Sequence, residues 1–370
     1  MTNRTVHVVL PNDIDDPAMC SGGNVYDRRV CSGLAELGWS VREHAVSGGW
    51  PRPSALERAG FARTLARLPE QATVLVDGLV ASAVPEALAA QRRRLRLVIL
   101  LHMPVHDDRE ARALTAAAAV VTTSDWTRRQ LLAWYALPAE RIHLAPPGTD
   151  PAPVVPGSVR GGRLLCVAAV TPHKGHDVLL DALAGVADLP WHCVCVGSLD
   201  RDAAFAAWTR ERAAKAHRIS DRITFAGPRI GAELRASYAE ADLLLLASRA
   251  ETYGMVVTEA LAGGIPVLAT STGGIAEALG WAPDGSLPGL LVPPADPVAL
   301  GDGLRRWLSE PDLRDRLRRA AQARRTTLTG WSVTSAAVSR ALSASGGAGA
   351  GGRAAGAGPE PVDPMVGVGR

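Results

Sequence analysis

Short apolar runs alternate with longer amphipathic stretches from one end of this chain to the other, and few folds accept that rhythm. In the first half the runs are Val6–Leu10, Val74–Val76, Leu97–Leu101, Val120–Thr123 and Ile142–Ala145. In the second half they are Leu164–Val170, His192–Val196, Ile223–Ala226, Leu243–Ala247, Val267–Ala269 and Leu290–Val292. Between them lie helix-like segments such as Tyr26–Leu37, Asp177–Val186, Asp202–Ala216 and Pro297–Leu308. A strand that is apolar throughout must be covered on both faces, and strands separated by helices pair in parallel. Each half therefore reads as a doubly wound α/β unit with a Rossmann-like parallel sheet.

A chain of 370 residues is longer than one core usually serves, so two domains and a tail are expected. The stretch from Pro146 to Pro151 is rich in Pro and Gly and ends near Gly162, which places the division between residues 1–150 and 151–330. An amphipathic C-terminal helix, 331–344, follows and is free to return to the first domain. The Gly-, Ala- and Pro-rich tail 345–370 has no apolar periodicity and is expected to be disordered. Aromatic residues are only 4% of the chain, so Ala, Val and Leu must fill the cores. A net charge of +3 gives no argument for nucleic acid as a partner.

The five cysteines form no C-x-x-C pair, and Cys193 and Cys195 alternate as buried strand residues do. Free thiols in a reducing compartment are expected, and no structural zinc. His102, His106, Asp107 and Asp108 match no metal-ligand spacing. The start, Met1 to Thr5, leads into a short apolar segment without a signal-peptide pattern, and no apolar run nears the roughly 18 residues of a membrane span. A cytoplasmic protein is expected. The basic run Arg92–Arg96 reads as a solvated helix end, and membrane contact, if there is any, is peripheral.

Four segments lie directly after apolar runs, at the sheet edge where α/β proteins bind ligands. The richest is Arg249-Ala-Glu251-Thr-Tyr253-Gly254-Met255-Val256-Val257-Thr258-Glu259, in which Gly254 marks a turn and Met255 begins a helix. The unpaired amides at such a helix start suit a phosphate. Thr171-Pro172-His173-Lys174-Gly175 places an ammonium at a strand-to-helix turn, as a point charge for a pyrophosphate. Ser271-Thr272-Gly273-Gly274 and Ser21-Gly22-Gly23-Asn24 are turns whose glycines let backbone come close to a ligand. Taken singly, each is equally an ordinary turn or a solvated surface.

Together these segments resemble a family-four glycosyltransferase of the GT-B fold. The resemblance runs through S-G-G-N with L-A-E-L-G-W-S-V behind it, V-V-T-T-S-D-W-T-R-R-Q-L, P-A-E-R-I-H-L-A-P-P-G-T-D, T-P-H-K-G-H-D-V-L-L-D-A-L and A-E-T-Y-G-M-V-V-T-E-A-L-A-G-G-I-P-V-L-A-T, in the family's order from about Val6 to Leu308. It implies two Rossmann-like domains facing each other across a cleft. It also implies a nucleotide-sugar donor (a UDP- or GDP-sugar), transfer with retention at the anomeric carbon, no metal or other cofactor, and an acceptor entering from the first domain. Glu251 would bind donor-sugar hydroxyls, and the backbone at Tyr253, Gly254, Met255 and Val256 would hold sugar and phosphates. Glu259 would bind the ribose, Lys174 would neutralise the leaving diphosphate, Gly23 would approach the phosphates, and His102 would stand near the reacting sugar. The chain departs from the family at Ala168 and Ala169, where an arginine beside a glycine is usual. Arg249 or Arg229 is the candidate replacement. Pro147 is a second departure, with no physical account. Two other readings stay open: a sugar-nucleotide epimerase on the same fold, and a non-catalytic nucleotide-sugar-binding protein, the second favoured by Ala169.

Overall fold

The computed structural model describes residues 4–16 and 21–345, so the tail expected from 345 lies, from 346 on, outside the described residues. Its strands are β1 (Arg4–Pro11), β2 (Trp39–Val46), β3 (Thr73–Asp77), β4 (Arg96–Leu101), β5 (Ala119–Thr122), β6 (Ile142–Leu144), β7 (Arg163–Val167), β8 (His192–Val196), β9 (Ile223–Gly227), β10 (Leu243–Leu246), β11 (Val267–Thr270) and β12 (Gly289–Val292). The helices are α1 (Gly22–Glu36), α2 (Ala55–Ala66), α3 (Gly78–Ala83), α4 (Pro85–Gln91), α5 (Asp108–Ala116), α6 (Asp125–Trp134), α7 (His176–Gly185), α8 (Ala203–Lys215), α9 (Gly231–Ala239), α10 (Met255–Ala262), α11 (Ile275–Leu279), α12 (Pro297–Ser309), α13 (Pro311–Arg324) and α14 (Trp331–Ala344).

The strands form two six-stranded sheets, ordered β2-β1-β3-β4-β5-β6 and β12-β11-β10-β7-β8-β9. Every pairing is parallel. Each apolar run of the sequence falls on a strand. The strand that the pattern misses is β2, at the edge of the first sheet, whose Arg42, Glu43 and His44 break the apolar run because it is only partly covered.

Each sheet divides its side chains between two cores, as period-two alternation requires. Val74 and Val76 of β3 enter one core of the first sheet while Leu75 enters the other. In β10 the split is Leu243 and Leu245 against Leu244 and Leu246. Such a strand has no polar face to offer solvent, so helices must cover both sides.

The chain crosses between the two units twice at one place. Outward bound it passes Pro146–Asp150. Returning through Leu328–Trp331, it lays α14 on the first unit, where Val338, Ala341 and Leu342 share a core with Val30 and Leu34 of α1. The two crossings touch: Thr149 N–H donates to Thr329 O at 2.9 Å and Thr334 Oγ1 to Pro146 O at 2.7 Å. A Cβ on Gly148 would fall 2.3 Å from Trp331 N. A further bridge lies across the cleft, where the Glu277 carboxylate on α11 accepts from the Asp125 N–H at 2.8 Å and the Trp126 N–H at 2.5 Å. Two otherwise unpaired amides at the start of α6 are thereby capped from the opposite unit. No helix among the described residues is long and apolar enough to cross a membrane.

The α1–α14 contact depends on the absence of a side chain at Gly33, where a Cβ would sit 2.0 Å from Ser335 Oγ. Gly33→Val is expected to cost about 1–3 kcal/mol, as overpacking does. Gly185→Ala, which meets open space, is expected to cost well under that. Urea denaturation of the two variants checks both.

Candidate active site at the carboxyl ends of the sheets

In the second sheet β7 and β10 are neighbours, and the chain winds away from them in opposite directions. Loops leaving such a pair diverge and open a crevice, the usual ligand site of doubly wound sheets. Lys174 leaves β7 and Glu251 leaves β10. Lys174 Nζ lies 2.5 Å from Glu251 Oε2, with 21% and 13% of the two side chains exposed, so the pair is partly buried yet reachable from the cleft.

Backbone contact holds the two loops together. Residues Pro172–Lys174 make one short 3-10 turn that ends at Gly175, whose φ of 68° is left-handed. A Cβ there would lie 2.0 Å from Ala247 O, so the turn packs directly on the end of β10. Arg249 N–H donates to His173 O at 2.8 Å. The Arg249 guanidinium donates to Pro172 O at 2.8 Å and forks onto Asp177 at 2.8 and 2.6 Å. That contact holds the Asp177 carboxyl below its usual range, chiefly through the guanidinium hydrogen bonds. Arg249 is thus a brace between the loops; meeting a phosphate would require it to share or release Asp177. Arg229 is likewise engaged, donating to Ser237 Oγ at 2.9 Å. The loop after β11 closes the other side. Gly274 N–H donates to Glu251 O at 3.2 Å, and Thr272 Oγ1 to Arg249 O at 3.1 Å.

Gly254, at φ 90°, precedes α10, and among the described residues no side chain bonds the first amides of that helix. They are left for an anion at the positive end of the helix dipole. Tyr253 and Val256 pack into one core of the second unit, while Met255 packs on the core of the first. Glu259, one turn into α10, accepts from Tyr238 Oη at 2.6 Å. Burial raises the pKa of its carboxyl.

From the first unit, Ser21 caps α1 by accepting from Asn24 N–H at 3.2 Å. A Cβ on Gly22 would touch Met255 Sδ at 3.4 Å, and one on Gly23 would touch the His102 ring at 3.4 Å. The glycine turn thus lies between His102 and the start of α10. His102 Nε2 stands 2.7 Å from Asp27 Oδ1 and 3.8 Å from Asp77 Oδ2. Sequence reading finds His102 but neither aspartate, nor Asp177, Tyr238 or Glu277.

Two groups among the described residues have metal-ligand proximity, Asp27–Asp77–His102 and Cys166–His176–Cys195, each with its ligand atoms within 4.8 Å of one another. The second is wholly buried beneath α7. The Cys166 thiol is pushed well up by its hydrogen bond with Cys195 and by burial, and His176 Nδ1 has no partner.

Two parallel sheets facing each other, each presenting its carboxyl ends to a shared cleft, define the GT-B architecture. Residues 20–153 match Glycosyltransferase Family 4 and residues 160–324 match Glycosyl transferases group 1, and the chain belongs to this family. Among relatives, the D-inositol 3-phosphate glycosyltransferase of Kineococcus radiotolerans is 29% identical over 251 residues, covering 62% of this chain and 58% of its own length. That of Acidothermus cellulolyticus is 31% identical over 228 residues, 57% of this chain and 50% of its own. The match thus spans little more than half of such relatives. Among solved structures, sucrose-phosphate synthase from Thermosynechococcus elongatus superposes with a TM-score of 0.72 at 20% identity, covering 91% of this chain and 98% of the other. HepE of Anabaena, in complex with UDP-glucose, gives 0.71 at 16% identity over 92% and 99%.

A Cβ on Gly274 would fall 2.2 Å from Thr252 O. Gly274→Ala is therefore expected to push the Glu251 loop off its brace. Amides 249–256 should exchange with solvent at least about tenfold faster, while those of β3 and β4 stay unchanged; exchange followed by mass spectrometry reads this directly.

Proposed function

We propose that the protein is a retaining glycosyltransferase that moves a sugar from a nucleoside diphosphate donor to an acceptor entering from the first unit. The observation that carries this reading is the Lys174–Glu251 pair, set at the β7/β10 crevice beside the uncapped amides of α10. Breaking the bond between the anomeric carbon and the phosphate oxygen leaves positive charge on the sugar and sends the electron pair to the diphosphate. Lys174 and the first amides of α10 are fixed where that negative charge develops, and such preorganised donors supply the larger part of the acceleration. Glu251 holds sugar hydroxyls, and the backbone from Tyr253 to Val256 lies along sugar and phosphates. Glu259, kept in place by Tyr238, takes the ribose. The acceptor hydroxyl attacks the same face that the diphosphate leaves, giving its proton to the departing phosphate oxygen. Retention follows from that geometry, with no covalent enzyme intermediate. The reaction is proposed to need no divalent ion, because Lys174 and the helix start supply the positive potential. The UDP-glucose bound by HepE supports a nucleotide sugar as donor.

Thermal shift against UDP- and GDP-sugars is expected to find the donor, since ligand binding raises apparent stability by mass action. With that donor, Glu251→Gln and Lys174→Ala are each expected to lower turnover by at least about 100-fold, the scale of one lost charge-stabilising group. Near-normal turnover in either variant contradicts the assignment. Anomeric configuration by NMR tests retention, and saturating EDTA should leave the rate unchanged.

A further inference from the structure

We propose that Asp27 is a positioning residue for the transfer. It fixes the orientation of the His102 ring through Nε2, so that Nδ1 is the atom offered to the bound nucleotide sugar. The inference rests on the nucleotide-sugar reading of the cleft.

The three residues come from different elements that meet at the carboxyl end of the first sheet. Asp27 is in α1, Asp77 ends β3, and His102 follows β4. The Asp27 side chain is 2% exposed and that of His102 20%, so the carboxylate is buried while part of the ring remains exposed. At 2.7 Å a carboxylate receives the Nε2 proton, which settles the ring's orientation and leaves Nδ1 as its second site. No described residue bonds Nδ1. Gly23 leaves room for the ring, and Tyr26 packs against it at nearly a right angle with centroids 5.2 Å apart, its own hydroxyl donating to Ala145 O at 2.8 Å.

The charged groups facing His102 are Asp27 from α1 and Asp77 from β3; Tyr26 adds a neutral phenol. Asp77 also caps α3, accepting from the Leu79 and Val80 amides. Burial opposes charge on the ring, but the two carboxylates outweigh it and the His102 pKa is raised. Asp77 gives way in turn, pushed up to about 7 by burial and by the Asp27 charge. The arrangement matters here because Lys174 is paired with Glu251 and Arg249 with Asp177, so a charged donor on the opposite wall of the cleft complements them.

The imidazolium exists below its raised pKa and is lost as pH rises through it. Removing the Asp27 charge lets burial dominate and lowers that pKa. In Asp27→Asn the alkaline limb of kcat/KM is expected to move to lower pH by about one unit. Asp77→Asn, which keeps the α3 cap, is expected to move the limb the same way. In a His102→Gln background Asp27→Asn is expected to add nothing, whereas a merely structural Asp27 would cost the same in both backgrounds. Ring 15N NMR, assigned by difference with His102→Gln, reads the protonated Nε2 and the titration without any turnover. A His102 titrating below 6.5, an unmoved limb in both aspartate variants, or stoichiometric perturbation of the ring by Zn2+ or Mn2+ would each overturn the proposal. Absence of turnover with every nucleotide sugar, beside the expected NMR titration, would fail the transferase reading alone.

Discussion

Backbone packed against backbone, with no side chain between, is the contact on which the cleft of the second unit depends. Gly175 lies against the Ala247 carbonyl, Gly273 against that of Glu251 and Gly274 against that of Thr252. These three approaches draw the loops after β7, β10 and β11 into one stack. Without it Lys174 and Glu251 would be two surface charges with little to gain from meeting. Within it their partial burial is offset by a short, directed ion pair, and the start of α10 is aimed into the same space. The Arg249–Asp177 fork fastens the stack from outside.

The two walls of the cleft are built differently. On the second unit positive potential comes from one paired lysine and from helix amides that no side chain among the described residues occupies. On the first unit the group facing it is an imidazole flanked by two buried carboxylates. Arginines near the second wall are engaged: Arg249 binds Asp177 and Arg229 binds Ser237. This bears on the arginine that Ala169 replaces relative to the family pattern. Both guanidinium groups have partners in the fold, and Arg249 would have to share Asp177 to meet a phosphate.

Most of the architecture was legible in the chain because buried parallel strands write themselves as uninterrupted apolar runs. Leu243–Leu246 could hardly be anything else. Strand β2 escaped because an edge strand alternates with charge and looks like loop. The glycine turns, Lys174, Glu251 and Glu259 were visible as segments placed after strands. Their supports were not. Asp27 meets His102 across 75 positions and Arg249 meets Asp177 across 72, and no local pattern encodes such a partner. Asp77 is a further case: in the fold it caps α3 with one oxygen and faces His102 with the other. Glu277 carries no local signal of its role, yet it caps α6 from the other unit.

The paired crossings between the units have a mechanical consequence. Two stretches of chain run side by side there, joined by the Thr149–Thr329 and Thr334–Pro146 hydrogen bonds. A single tether would let one half swivel in any direction. A double one, joined by these two hydrogen bonds, restrains twist between the units. Any swing that widened the cleft would have to part Glu277 from the α6 amides and Met255 from Gly22.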